Sequence, residues 1–309
     1  MNSNKAVILA KVEGSYGVDA NPTAAANAIL CEKPTIEVMS KKLERNNVKP
    51  YFGNLAPVNI GEGLKLSFST EIKGSGTVGT APEIGVLFRG CNFTETITPG
   101  VKVDYDPNSN TSTGESLSMY YYLDGILHKI LGSRGTFSYE SKAGEYGKIK
   151  WDFTGIFAGP VDQAIVTGVY NQTVAPPRFV SAAFSIDSYA AIIETLKIDI
   201  ANEIGKRPSA NAATGILEYF IKNRKPTGEI DPEAVPLATK DFWTLWSNSS
   251  RVAMTSTLGA VAGNKLITTA PKVGLGDLKY GDREDVVTYG MPLVFTPNAG
   301  NDELKFSFQ

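Results

Sequence analysis

SLSMYYYL, DG, ILHKIL: residues 116–131 decide the fold class. Ser116 to Leu123 and Ile126 to Leu131 are two runs rich in apolar and aromatic residues, separated by only two positions. Asp124-Gly125 supplies the two positive φ angles of a type I′ turn, whose twist matches that of paired strands. The stretch therefore predicts a tight antiparallel hairpin. Further along, Thr136–Glu140 and Lys148–Phe157 form a second antiparallel pair around a turn at Lys142–Gly147. Upstream, Leu64 to Ser69 alternates apolar and polar side chains with period two, as a half-buried strand does. Helical signal is confined to two short segments. One is capped by Thr80, has Pro82 in its first turn, and runs through Ile84, Leu87 and Phe88 to about Arg89. The other, Ala238–Trp246, has Phe242, Leu245 and Trp246 at i, i+3, i+4 spacing, with Thr239 as its cap.

The order of these signals repeats. Thr35-Ile36-Glu37-Val38, Leu43-Glu44-Arg45, the first helix, the Asp124-Gly125 hairpin and the strand Lys150–Phe157 make one series. Leu196–Ile200, Ile204–Arg207, the second helix, a Gly263-Asn264 hairpin and Thr288–Phe295 make the other. Residue identity between the series is low, so the match rests on pattern and order. The expected organisation is an N-terminal arm (1–32), a first module (33–159), a Pro-containing linker (160–185), and a second module with a C-terminal strand (186–309). That strand, Leu304–Phe308, echoes Leu64–Phe68.

Composition narrows the function classes. The 309 residues carry 30 Lys and Arg against 32 Asp and Glu, a net charge of −2, so the basic excess of a phosphate-gripping protein is missing. Cys31 and Cys91 are too few for a disulfide framework and too far apart for a CxxC site, and read as two small hydrophobes in a reducing cytoplasm. The apolar run Val7–Ala10 is too short for a signal peptide, and no stretch approaches the ~20 apolar residues of a membrane span.

Motifs that resemble chemical sites read better as structure. Gly74-Ser-Gly76-Thr-Val-Gly79 matches the dinucleotide fingerprint, but the helix caps come after all three glycines and antiparallel hairpins follow, so a flexible connection is expected. Asp104, Asp106, Asn108, Ser109 and Glu115 make a partial EF-hand loop that lacks the glycine at its sixth position, and a polar surface loop is expected. His128, the only histidine, sits mid-strand with no nucleophile motif beside it. The charged group Asp282-Arg283-Glu284-Asp285 reads as a solvated turn. Tyr120-Tyr121-Tyr122 alternates faces, with at least one ring in a core and the others toward solvent or a neighbouring subunit. No catalytic residue, metal ligand or cofactor site survives.

Several short motifs in order resemble the major tail tube proteins of long, non-contractile-tailed phages, particularly Mu-like siphophages and related prophages. They are Leu9–Gly17 with Asp19 and Pro22, Val48–Gly53, Gly74–Pro82, Leu87–Phe93, Tyr122–Lys129, Arg134–Thr136, Phe153–Gly155, Gly263-Asn264 and Gly300–Leu304. The resemblance implies a mainly β fold: duplicated tail-tube-type antiparallel β-sandwich modules, each with a short helix, joining into a ring-shaped barrel. It also implies a non-enzymatic virion protein, made in the host cytoplasm, that stacks as rings into a conduit for DNA. Implied partners are itself, tape measure, tail terminator and tail-tip proteins, and DNA in transit without specific binding. Two modules per chain favour trimeric rings with pseudo-sixfold symmetry over hexameric ones. A β-sandwich binding module or adhesin of the tail tip or baseplate is the alternative.

Family members reach the next ring with a long loop after the first strand. Here that loop is Glu44–Gly63, carrying Val48, Tyr51, Phe52, Leu55 and Val58. Its counterpart is Gly205–Asn223, with Ile216, Leu217, Tyr219 and Phe220. So much apolar surface on a loop marks either an interface between rings or rings folded back on their own module.

Overall fold

The computed structural model describes residues 2, 4–32, 34–110 and 114–309. Among the described residues the regular structure is antiparallel β-sheet with two short helices. In chain order the elements begin with β1 (Ala6–Val12) and β2 (Ala28–Ile29). The first half continues with β3 (Thr35–Leu43), β4 (Val58–Glu71), α1 (Gly85–Gly90), β5 (Phe93–Thr98), β6 (Lys102–Pro107), β7 (Leu117–Leu123), β8 (Ile126–Lys142) and β9 (Lys148–Asp162). After β10 (Ser185–Ile186) come β11 (Thr195–Asp199), β12 (Asn202–Pro208), β13 (Ile216–Arg224), β14 (Thr227–Ile230), α2 (Phe242–Ser247), β15 (Arg251–Leu258), β16 (Leu266–Leu275), β17 (Lys279–Arg283), β18 (Val286–Phe295) and β19 (Lys305–Phe308).

The hairpin that decides the fold class forms as read. β7 and β8 meet at Asp124 and Gly125, with φ of 36° and 109°. The helices form one turn later than the sequence predicts. α1 starts after Ile84 with no side-chain cap, because Thr80 is held in a turn by its own N–H to the Thr77 carbonyl. The cap of α2 is Asp241, which accepts from the Thr244 N–H at 2.9 Å, and Thr239 stays outside. Strand β4 also begins earlier than expected, so residues 58–63 are paired with β3 and only 44–57 lack regular structure.

Two sheets enclose one core. The first runs β3–β4–β9–β8–β11–β14–β18–β17, every neighbour antiparallel. The second runs β5–β6–β19–β16–β15–β10 and joins the first where β16 pairs with β18. Strand β8 forks: its first part pairs with β7, which carries β1 and β2, and its last part pairs with β11. Between the sheets, α1 inserts Phe88 among Tyr105, Phe137, Trp151 and Phe306, at 4.8, 5.1, 5.1 and 5.5 Å between ring centroids. Phe306 comes from β19 and the others from the first half, so both halves contribute to the same core.

A smaller cluster covers the back of β7. Tyr120 and Tyr122 are buried there with Val7, Leu9, Ala28 and Leu127, under Ile165, Val166 and Tyr170. Neither ring faces solvent or a neighbour, contrary to the sequence reading. The segment after β9 is not a bare linker: it supplies the apolar lid over these tyrosines.

The glycines of Gly74–Gly79 do not make a flexible connection. The Gly74 N–H donates to Asn264 Oδ1 at 2.8 Å and the Gly76 N–H to the Gly263 carbonyl at 3.0 Å. A Cβ on Gly74 would collide with the Gly263 carbonyl oxygen, so glycine is needed for two backbones to touch.

Candidate functional site: sheet edges and an exposed arm

The eight-stranded sheet uses the same four-strand arrangement twice. In the first half the order is β3–β4–β9–β8; in the second it is β11–β14–β18–β17. In both, a strand pair from before the helix lies beside a hairpin from after it. The two sets join where β8 meets β11, with Lys197 opposite Glu140 and Ile198 opposite Tyr139. Among the described residues, the outer edges of β3 and β17 pair with nothing. Such rows of open backbone N–H and C=O groups are ready to accept another strand.

One face of this sheet is apolar and lies against the second sheet. The other face is polar and balanced in charge, an alternation that antiparallel sheets allow. Lys65 sits 3.5 Å from Asp152 and Lys197 3.6 Å from Glu140, and Glu37, Lys150, Asp199 and Glu229 share that face.

The residues read as an inter-ring interface fall in two different places. Val48, Tyr51 and Phe52 are exposed and Leu55 is half-buried, all on the segment between β3 and β4. Val38, Met39, Leu43, Val58 and Ile60 are exposed along the same extension. Lys49 lies 5.1 Å from the Tyr51 ring, the one cation–π contact in the arm. The counterpart, β12–β13, folds onto the first half instead. Tyr219 is 4% exposed, its N–H donates to the Tyr16 hydroxyl at 2.6 Å, and Gly63 is glycine because a Cβ there would meet the Tyr219 hydroxyl. Phe220 is half-buried, and Leu217 is exposed.

A seat for this hairpin was missed in the sequence. The buried Glu13 carboxylate accepts from Ser116 Oγ (2.6 Å), Ser118 Oγ (2.9 Å) and the backbone N–H groups of Gly132 (2.8 Å) and Gly17 (2.7 Å). That anchor holds Tyr16 in place. Burial, partly offset by the Tyr219 N–H, pushes its phenol up to about 12. At the other end of β13, Arg224 pairs with Glu303 at 2.6 Å, both side chains almost fully buried. A glutamate before Gly-Ser-Tyr-Gly was a visible signal, but apart from Gly17 its partners lie more than a hundred residues away.

The motifs with chemical appearance are committed to structure. Asp104 pairs with Lys102 and with Ser307 Oγ, Asp106 with Lys305, and Glu115 with Arg89. The middle of that loop, residues 111–113, lies outside the described residues. His128 stacks on Tyr121 at 6.0 Å, and burial lowers its pKa. Arg283 faces Glu194, Asp231 and Glu233 at 3.3, 2.8 and 3.9 Å, while Glu284 and Asp285 turn the β17–β18 hairpin with positive φ. Cys31 and Cys91 are free thiols, and burial pushes Cys31 up to about 12. Among the described residues no cluster of His, Cys, Asp and Glu could hold a metal, and no helix is long and apolar enough to cross a membrane.

Residues 3–303 match the family described as "Phage tail tube protein". No curated protein matches the chain.

Proposed function

Since the chain belongs to the phage tail tube protein family, we propose that three copies close into a ring of pseudo-sixfold symmetry, and that rings stack into the tube through which DNA leaves the particle. The carrying observation is the four-strand set repeated along one sheet with an unpaired edge at each end. Each chain then occupies two of six similar positions, and closing the ring removes both edges, which strand-rich proteins must otherwise guard. Two modules per chain, bounded near 33–159 and 186–309, are the units of that symmetry.

The second sheet covers the apolar face, so in a closed ring the polar face lines the channel. Its mixed charges present DNA with neither a basic trap nor a strong barrier, and the duplex slides. The arm at Val48–Leu55 reaches the adjacent ring, with Phe220 and Leu217 at the rim of the same contact. Tape measure, terminator and tail-tip proteins cap the ends, and the motif order favours long, non-contractile tails of the Mu-like siphophage type. The work is geometric, so the protein needs no catalytic group or cofactor.

Electron microscopy of the purified full chain tests this reading. Tubes or stacked rings with three chains per ring are expected. Six whole chains per ring would overturn the trimer and leave the tube. Monomers at every salt and protein concentration, with tail-assembly partners added, would overturn both.

A further inference from the structure

The internal repeat specifies how the sheet continues beyond the chain. First strands align as Thr35-Ile36-Glu37-Val38 on Thr195-Leu196-Lys197-Ile198, and last strands as Trp151–Phe157 on Tyr289–Phe295. These alignments are independent, and the strand registers check one against the other. Ile36 faces Leu66 and Leu196 faces Ile230, so the first alignment puts Leu66 on Ile230. Leu66 faces Phe153 and Ile230 faces Met291, so the second puts Leu66 on Ile230 again. Through the same registers Phe137 falls on Tyr280, Ile149 on Val287, and Glu140 on Arg283.

We propose that β17 pairs antiparallel with β3 of a second copy, in the register of the internal β8–β11 joint. Arg283 then lies opposite Glu37 of the second copy, Asp282 opposite its Val38, and Gly281 opposite its Met39. The proposal rests on the ring reading above and adds to it the strands and their register.

Direction, charge and burial support it. The eight strands alternate in direction, so the two free edges run antiparallel when copies meet side by side. Lys197 and Glu140, 3.6 Å apart at the internal joint, are replaced at the external one by Glu37 and Arg283, with signs exchanged. Arg283 already faces three carboxylates, so this pair sets register more than strength. The third observation weighs most. Ile198, Phe137 and Ile149 are 1%, 1% and 0% exposed, whereas their equivalents Val38, Tyr280 and Val287 are 61%, 67% and 50% exposed. The core side of the sheet is complete at the joint the chain makes by itself and bare at its two ends. A second copy supplies the missing cover.

Cysteine cross-linking of the full chain tests the register. Directly opposed residues have Cα atoms ~4.5–5.5 Å apart, within disulfide reach, whereas residues two positions off are ~7–8 Å apart. Assembled Val38→Cys/Asp282→Cys chains, mildly oxidised, are expected to link at least about tenfold more than Val38→Cys/Tyr280→Cys chains, against an unmodified chain that reports on Cys31 and Cys91. Hydrogen exchange of the unmodified protein gives a second measurement, free of folding defects in the variants: amides 279–283 and 35–39 should become protected on assembly. Equal linking in both registers, or unchanged exchange of those amides in assembled protein, overturns the joint while leaving the ring. An unmodified chain that stays monomeric overturns the ring reading and the joint together.

Discussion

The extension between β3 and β4 and the hairpin β12–β13 hold the same place in the repeat and have opposite fates. Both follow the first strand of a four-strand set, and both carry aromatic and branched apolar residues. β12–β13 is folded down on β8 and β9, with Tyr219 wedged between Tyr16 and Gly63. The β3–β4 extension projects with Tyr51 and Phe52 exposed. The second half finds a seat because the first half precedes it on the same chain. Among the described residues the corresponding extension of the first half meets no such seat, and Val48, Tyr51 and Phe52 stay exposed. Equivalent sequence positions can thus be buried within the chain or left exposed, and only the neighbour decides which.

The contrast breaks most directly by exchanging roles. Tyr51→Asp with Phe52→Asp should abolish elongation while leaving the monomer's unfolding free energy within about 0.5 kcal/mol, as surface changes do. A folded double variant that builds normal tubes would remove the arm from the interface. Tyr219→Ala should do the reverse, costing ~3–5 kcal/mol of stability by emptying a buried aromatic site, measured by urea denaturation of unassembled protein. Equal stability losses at the two sites would erase the distinction.

Arg224→Ala sharpens it further. Leaving Glu303 buried without its cation should cost ~3–5 kcal/mol and loosen the root of β13, read as faster hydrogen exchange across 216–224. Glu13→Gln removes a carboxylate that accepts four hydrogen bonds and should cost ~1–3 kcal/mol, with faster hydrogen exchange of the Tyr219 amide reporting the released seat. The smallest effect concerns pH. Burial works against the charged form of Asp104, but Lys102, Ser307 and Lys305 outweigh it and lower the pKa. A depressed folded-state pKa contributes stability above the ordinary carboxylate value near 4 and loses it as the pH falls through the lowered value. Asp104→Asn should flatten that part of the acid denaturation curve, and an unchanged curve would mean that β19 is held without it.

Local chemistry made much of this legible. Asp124-Gly125 wrote its own turn, and the period of Leu64–Phe68 and Lys150–Phe157 gave the strands that carry the sheet. Signals depending on distant partners did not read. Nothing near Tyr219 shows that Tyr16 waits two hundred residues upstream, so its burial could not be told from the exposure of Tyr51. The glycines at 74–79 looked like freedom because glycine permits both mobility and close approach, and only Gly263 decides between them. Thr80 and Thr239 are good caps by type, but turns tied by their own backbones moved each helix start past them.

Strand β19 has a kinetic consequence. It lies between β6 and β16, and the Ser307 hydroxyl reaches Asp104 across a sequence separation of 203 residues. Until it docks, Phe88, Phe93 and Phe137 lack Phe306, and the first half has no finished interior. Contacts of such separation must meet the entropy of closing a long loop before they return any energy, and they slow folding. The first half should therefore collapse early but mature late, holding sticky β edges in an incomplete state. A host making many copies must shield that intermediate or outrun its aggregation. The strand that welds the halves together should then also set the pace at which usable subunits emerge, which refolding rates of a Phe306→Ala chain would check.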